Sequence, residues 1–215
     1  MKMQKNWLII LSSILFLSCT ETEKPKELPF LGPYNSGGKI QNSDFDQEAE
    51  LGQIRAFEFV DQDGNAVNHS TINGKIYVTD FFFTSCPTIC PKMKQQMLRI
   101  YEEFEAEEDL ILLSHSIDPK RDSVGRLKTF ADKLGITSDR WHLVTGEKDS
   151  IYSMAKHYMI AAQKDDLALG GYAHSGQFLL IDKKRQIRGI YDGTVAEDVD
   201  ILMEDIRILL GSEEE

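Results

Sequence analysis

Nowhere in this 215-residue chain is there an apolar run long enough to cross a bilayer as a helix, which takes about 20 residues. The run near the amino terminus, Trp7 to Leu17, stops at about a dozen. Positive charge is also in short supply. Lys and Arg total 24 against 35 Asp and Glu, a formal net charge of −11. A surface of that sign repels phosphates, which argues against nucleic acid as a partner. Internal repeats and low-complexity blocks are missing, apart from the terminal Glu213–Glu215, expected to be a solvated tail. No appended signalling domain is visible. Cysteine is rare, at three residues, and two of those lie within five positions of each other. What remains, 41% hydrophobic and 27% charged, suits one packed domain with appendages.

The amino terminus is an appendage. Lys2 and Lys5 precede the apolar run, and Ser18 and Cys19 follow it, the order of a secretory signal. Residues 1–18 are therefore expected to be a lipoprotein-type signal peptide, with Cys19 acylated as the first mature residue. The places three and two before Cys19 hold Phe16 and Leu17, where such signals usually carry Leu and a small residue. Loss of two lysines would take the charge from −11 to −13. Residues 19–51 hold Pro25, Pro29, Pro33, Gly32, Gly37 and Gly38 with no sustained period. They are expected to form a tether reaching about 30 Å, with "LPFLGPYN" lying extended. The chain is thus expected to be exported, lipid-anchored to a bacterial membrane, with its domain facing the periplasm. There, thiols oxidise unless something keeps them reduced or occupied.

The domain is expected over 52–212. "IRAFEFV" alternates and Asp63-Gly64 marks a hairpin turn. Lys75–Phe83 and Leu110–Ile117 read as buried strands. Apolar residues at 93, 97, 100, 101 and 104 have helical spacing over Lys92–Glu105. Asp122 is expected to cap a helix ending at Leu134 and closed by Gly135. "WHLVTG" reads as a short edge strand. Thr145 is expected to cap a helix over Lys148–Tyr158. "QFLLIDKKRQIRGIY" reads as a hairpin, and Thr194 with Glu197 as a capping box for a last helix reaching Leu210. Strands alternating with helices, then a hairpin and a closing helix, indicate an α/β sandwich. The order is similar to the thioredoxin-like fold, a central mixed sheet flanked by helices, here with an N-terminal hairpin extension.

The chemistry concentrates in "FFFTSCPTICPKM", where Cys86 and Cys90 each precede a proline. A residue before proline is pushed out of the α region, and proline suits the first helical position. Pro91 is therefore expected to open the helix, with Cys90 just outside it and both sulfurs curled above its amino terminus. Helix-end amides favour an anion, so the thiol pKa should be depressed. Thiolate serves disulfide exchange and soft-metal binding alike, and an inert structural disulfide is the third reading.

Of five histidines, His69 is expected to face solvent from a polar loop. His115 and His142 are expected to be satisfied, partly buried groups, and His157 an exposed helix residue. His174 stands apart, in "GGYAHSGQF" at the entry to a strand. In oxidoreductases of the thioredoxin-like fold a proline faces the cysteines at this place, whereas Tyr172 to Gln177 contains none. A histidine there suggests ligation.

"TSCPTICP", "SIDPKRDS", "WHLVTG" and "HSGQFLLID" occur in that order across about residues 52–210, and together they resemble the Sco (SenC/PrrC) family of copper-binding proteins that assist cytochrome c oxidase assembly. The resemblance implies that Cys86, Cys90 and His174 bind one copper, Cu(I) or Cu(II). Soft Cu(I) accepts two thiolates and an imidazole, and Cu(II) favours a tetragonal set that water can complete. A closed zinc site would want a fourth protein ligand, and none is obvious. Where many members have an acidic residue before the histidine, this chain has Ala173. Asp118 could orient the imidazole instead, although a turn cap is its simpler role. The implied function is a membrane-tethered copper chaperone, with the copper-bearing oxidase subunit or another copper chaperone as partner. The alternative is a thiol–disulfide oxidoreductase in which Cys86 and Cys90 are the redox pair. A peroxidase is less favoured, because Phe83 stands where such enzymes place a threonine, and a copper or redox sensor is the remaining reading.

Overall fold

The structure, a computed structural model, describes residues 27–31, 53–165 and 170–211. Cys19, the leader and most of the expected tether lie outside them. A five-stranded sheet organises the chain, in the order β5-β4-β3-β8-β9. β3 (Ile76–Phe82) and β4 (Leu110–Ser116) are its centre, and every residue of both is buried. Continuous burial is what a strand covered on both faces requires, and it explains their nearly unbroken apolar runs. β4 runs parallel to β3, and the edge strand β5 (Trp141–Val144) runs parallel to β4. β8 (Gln177–Ile181) and β9 (Ile187–Asp192) complete the other side antiparallel. Crossover helices α2 (Ile89–Glu103) and α3 (Val124–Leu134) link the parallel strands. α4 (Lys148–His157) follows β5, and α5 (Ala196–Gly211) closes the chain against β9, β3 and α2.

Two small additions flank this frame. β1 (Glu58–Val60) and β2 (Ala66–Asn68) form the expected N-terminal hairpin. The one-turn α1 (His69–Ile72) follows it, held by a capping box between Asn68 and Thr71. β6 (Ala162–Lys164) and β7 (Tyr172–His174) form a separate antiparallel ribbon. Elements of three or four residues give too few positions for a periodic signal.

Local details depart from the sequence reading. α2 begins at Ile89, so Cys90 and Pro91 lie inside its first turn. Proline is harmless there, because N–H groups of a first turn have no helical partner to lose. The cap of α3 is Ser123, whose hydroxyl accepts from the Arg126 amide. Asp122 turns inward to Thr84 and Ser116. Gly135 does close that helix, at φ 70°. Glu147, not Thr145, precedes α4. Thr194 hydrogen-bonds Asp192 instead of capping α5. His157 is buried rather than exposed, and His69 is half-buried at the start of α1. Within the expected tether, residues 27–31 dock along β9. Leu28 is buried, the Leu31 amide donates to the Ile187 carbonyl at 2.8 Å, and Arg188 donates to the carbonyls of Leu28 and Pro29.

Candidate metal centre

β3 delivers its carboxyl end to the middle of the sheet, where a parallel neighbour lies on one side and an antiparallel one on the other. The chain leaves β3 through Phe83–Thr88, with a turn in which the Cys86 amide donates to the Phe83 carbonyl at 3.2 Å. Asp122 fastens that turn from below. Its buried carboxylate accepts from the Thr84 amide (3.0 Å), the Thr84 hydroxyl (2.5 Å) and the Ser116 hydroxyl (2.7 Å). Cys86 then sits at the loop and Cys90 in the first turn of α2, both as free thiols.

The β6–β7 ribbon lays His174 against them. Nε2 of His174 is 3.3 Å from the Cys90 sulfur, and the two sulfurs and a ring nitrogen all lie within 4.8 Å of one another. Among the described residues this is the one cluster of three such side chains. Nδ1 of His174 is 3.1 Å from the Ser175 carbonyl. A carbonyl can only accept, so Nδ1 carries the proton and the Nε2 lone pair faces the sulfurs. A main-chain carbonyl thus orients the imidazole, and no carboxylate is required of residue 173. Asp118 does not reach His174. Its side chain receives the Tyr172 hydroxyl at 2.9 Å, and its main chain makes the turn, accepting from the Arg121 and Asp122 amides.

The two thiols are not equivalent. Cys86 is the more accessible, at 9% exposure against 3% for Cys90. Burial opposes ionisation of Cys86, but hydrogen bonds from the Thr88 and Cys90 main chain and side chains outweigh it and lower its pKa. At Cys90 burial dominates, and the thiol is pushed far above its usual range. The expectation of depressed pKa values therefore holds for Cys86 and fails for Cys90, where loss of water exceeds the pull of the helix end. Burial also lowers the His174 pKa. The neutral imidazole so favoured is the form that can donate a lone pair.

The other histidines have structural surroundings. His115 is wholly buried, with its ring stacked on Phe81 (4.7 Å between centroids) and Nδ1 3.1 Å from the Thr79 hydroxyl. His142 Nδ1 lies 3.2 Å from the Asp61 carboxylate.

Two features next to the site escaped the sequence reading. Phe83 packs its ring on both Tyr172 and His174, at 5.3 and 5.8 Å. Beneath the site, Lys94 and Asp80 form a buried ion pair at 2.8 Å. Its signal was legible: an acid inside the apolar strand "VTDFFF" and a cation four residues after Cys90 on the buried face of α2.

Known proteins place this architecture. A SCO1 homologue of Bacillus subtilis is 29% identical over 157 residues, covering 72% of this chain and 81% of that one. A Stutzerimonas stutzeri protein named for copper binding is 29% identical over 142 residues, covering 63% of this chain and 67% of its own. Among solved structures, a SCO1/SenC family lipoprotein of Bacillus anthracis superposes with a TM-score of 0.68 at 27% identity, over 76% of this chain and 98% of that one. BsSco, described with a disulfide switch and as a member of the Sco family of cytochrome c oxidase assembly proteins, superposes at 0.66 and 27% identity over 79% and 98%. This chain shares with the two solved structures the thioredoxin-like arrangement of a central mixed sheet between helices. The SCO1/SenC family model matches residues 46–211, which is most of the chain, and this chain belongs to that family.

Proposed function

We propose that the protein is a copper carrier that takes its cargo on Cys86, Cys90 and His174 and assists assembly of the copper centre of a cytochrome c oxidase. The observation that carries this reading is the convergence of two sulfurs and one ring nitrogen within 4.8 Å. The donor set fits the metal. Two thiolates suit soft Cu(I), an imidazole adds a third donor, and Cu(II) can complete a four-coordinate set with water. Binding releases the thiol protons, because both sulfurs bind as thiolates. Three protein donors at the rim of the sheet, rather than a closed set of four, suit a metal that must be handed on. The copper-binding name of the Stutzerimonas stutzeri relative supports the cargo, and the oxidase-assembly description of BsSco supports the recipient.

The test is anaerobic titration of the reduced protein with Cu(I), followed by the Cu(II) thiolate charge-transfer band, in wild type and His174→Ala. One copper bound per chain, with the band lost or affinity much weakened in the variant, upholds the reading. Equal binding by both proteins, or none, refutes it.

A second reading, thiol–disulfide reduction of a partner's copper-ligating cysteines, is favoured by the unequal placement of the pair. Cys86 lies at the loop and Cys90 inside the helix. The Cys86 thiolate would attack a partner disulfide, forming a mixed disulfide and expelling one partner thiolate. Cys90 would then displace the second partner sulfur, leaving the Cys86–Cys90 disulfide and two reduced partner thiols, with two electrons transferred. His174→Ala should leave this activity intact, which separates the two readings.

The same proposal covers location and organisation. Residues 1–18 serve as a lipoprotein-type signal, Cys19 carries the lipid, and the stretch to residue 51, docked on the domain at residues 27–31, links the 52–212 domain to a bacterial membrane. The lipoprotein description of the Bacillus anthracis relative supports this. No helix among the described residues is long and apolar enough to cross a membrane. Cys19→Ser should move the protein from the membrane to the soluble fraction, and retention at the membrane would refute the anchor.

A further inference from the structure

His174 rides on a ribbon that pairs with no strand of the main sheet. Two strands of three residues are marginal by themselves, so their position depends on what they dock against. The docking converges on Tyr172. Successive side chains alternate across a strand, so residues two apart share a face, and Tyr172 and His174 share one face of β7. The Tyr172 hydroxyl donates to Oδ1 of Asp118 at 2.9 Å. Asp118 is 1% exposed, and its other oxygen has no aligned hydrogen bond. Arg121 Nε lies 3.0 Å from that oxygen as a charge contact. The Arg121 guanidinium also lies over the Tyr172 ring at 6.0 Å and donates to the Ser85 hydroxyl at 3.3 Å. Phe83, three residues before Cys86, packs on the opposite partner of this contact, 5.3 Å from the Tyr172 ring. The cysteine loop, the turn after β4 and the ribbon therefore meet at one phenol.

We propose that the Tyr172–Asp118 hydrogen bond is a latch that positions His174 over the cysteine pair, making Tyr172 and Asp118 positioning residues for the imidazole. This rests on the reading of His174 as a copper donor. A buried carboxylate deprived of its aligned donor is strongly disfavoured, so the bond is worth more than a surface contact between the same groups. The ribbon supplies the imidazole alone, whereas both sulfurs belong to the loop and α2. Cu(I) can remain on two thiolates when its third donor is withdrawn, whereas a four-coordinate Cu(II) set cannot, so releasing the latch should weaken Cu(II) binding and largely spare Cu(I). A general loss of structure would weaken both.

The experiment compares the full protein with Tyr172→Phe, which removes the donor, and with Asp118→Ala, which removes the acceptor, alone and combined. Amide hydrogen exchange is read in the reduced, metal-free proteins, and Cu(I) and Cu(II) are then titrated separately, with His174→Ala as comparator. Breaking a hydrogen bond to a charged group should speed ribbon exchange on the order of tenfold, with exchange in β3 and β4 unchanged. Cu(II) affinity should fall by a similar factor and Cu(I) affinity should hold within about twofold of wild type. The double variant should be no worse than the more severe single one, because both remove the same bond. Unchanged ribbon exchange in Tyr172→Phe, or equal losses for the two oxidation states, overturns the latch. If His174→Ala keeps the Cu(II) band, the ligand reading falls. Ribbon exchange in the metal-free variants would still decide whether the latch exists.

Discussion

Lys94→Met should be among the most damaging single substitutions in the domain, although it touches neither sulfur. Lys94 is 3% exposed and its ammonium donates to Asp80 at 2.8 Å and to the Ser114 hydroxyl at 2.9 Å. Ser114 in turn donates to Asp80 and accepts from the Trp141 indole at 2.9 Å. Phe82 lies 4.1 Å from the ammonium. At an effective dielectric of about 20, unit charges at the 2.8 Å of the Lys94–Asp80 pair attract by about 6 kcal/mol, an upper bound before desolvation is subtracted. The variant keeps the desolvation of Asp80, which is 0% exposed, and loses the attraction that offsets it. Breaking such a pair costs about 3–5 kcal/mol, which for a domain of this size lowers the melting temperature by roughly 10 °C. Urea unfolding followed by circular dichroism measures it. The decisive comparison is the double variant Lys94→Met with Asp80→Asn, which removes both charges and keeps an acceptor for Ser114. It should recover about 2 kcal/mol or more relative to Lys94→Met. If the single variant loses less than about 1 kcal/mol, or the double is less stable than the single, the buried pair is not the source of that stability and the reasoning fails.

Acid should expose the second buried cation-forming group. Burial lowers the His115 pKa to about 4 from 6.5. Between those values the unfolded chain binds a proton that the folded chain refuses, so stability falls as pH drops from 6.5 towards 4 and is unaffected above 7. The whole span is worth about 3 kcal/mol, and it should disappear from the pH profile of His115→Leu, measured against wild type by urea unfolding. At the ribbon, Gly170 has φ +92°, and a Cβ there would come within 2.8 Å of the Phe83 ring. Gly170→Ala should cost about 1–2 kcal/mol in backbone strain and weaken Cu(II) binding by displacing β7. Unchanged affinity and melting temperature would show that the ring and ribbon adjust freely.

The sequence by itself determined the order of the sheet's elements and which residues could bear the chemistry. Apolar runs over β3 and β4 need no tertiary context to be read, because burial on both faces demands them. Two cysteines four apart before prolines, and a histidine where a proline is usual, similarly mark soft donors by type and spacing. Only the tertiary structure decided how those donors behave. Whether a helix opens at Ile89 or Pro91 turns on main-chain geometry that residue type does not fix, and it is the burial of Cys90 in the packed structure that separates its acidity from that of Cys86. The orienting partner of His174 is the Ser175 carbonyl, a main-chain atom every sequence possesses, so no residue type announces it. Asp118 meets Tyr172 across 54 positions, and His174 meets Cys90 across 84. Such contacts follow from how far the sheet brings distant segments together, and local propensity carries no information about that distance.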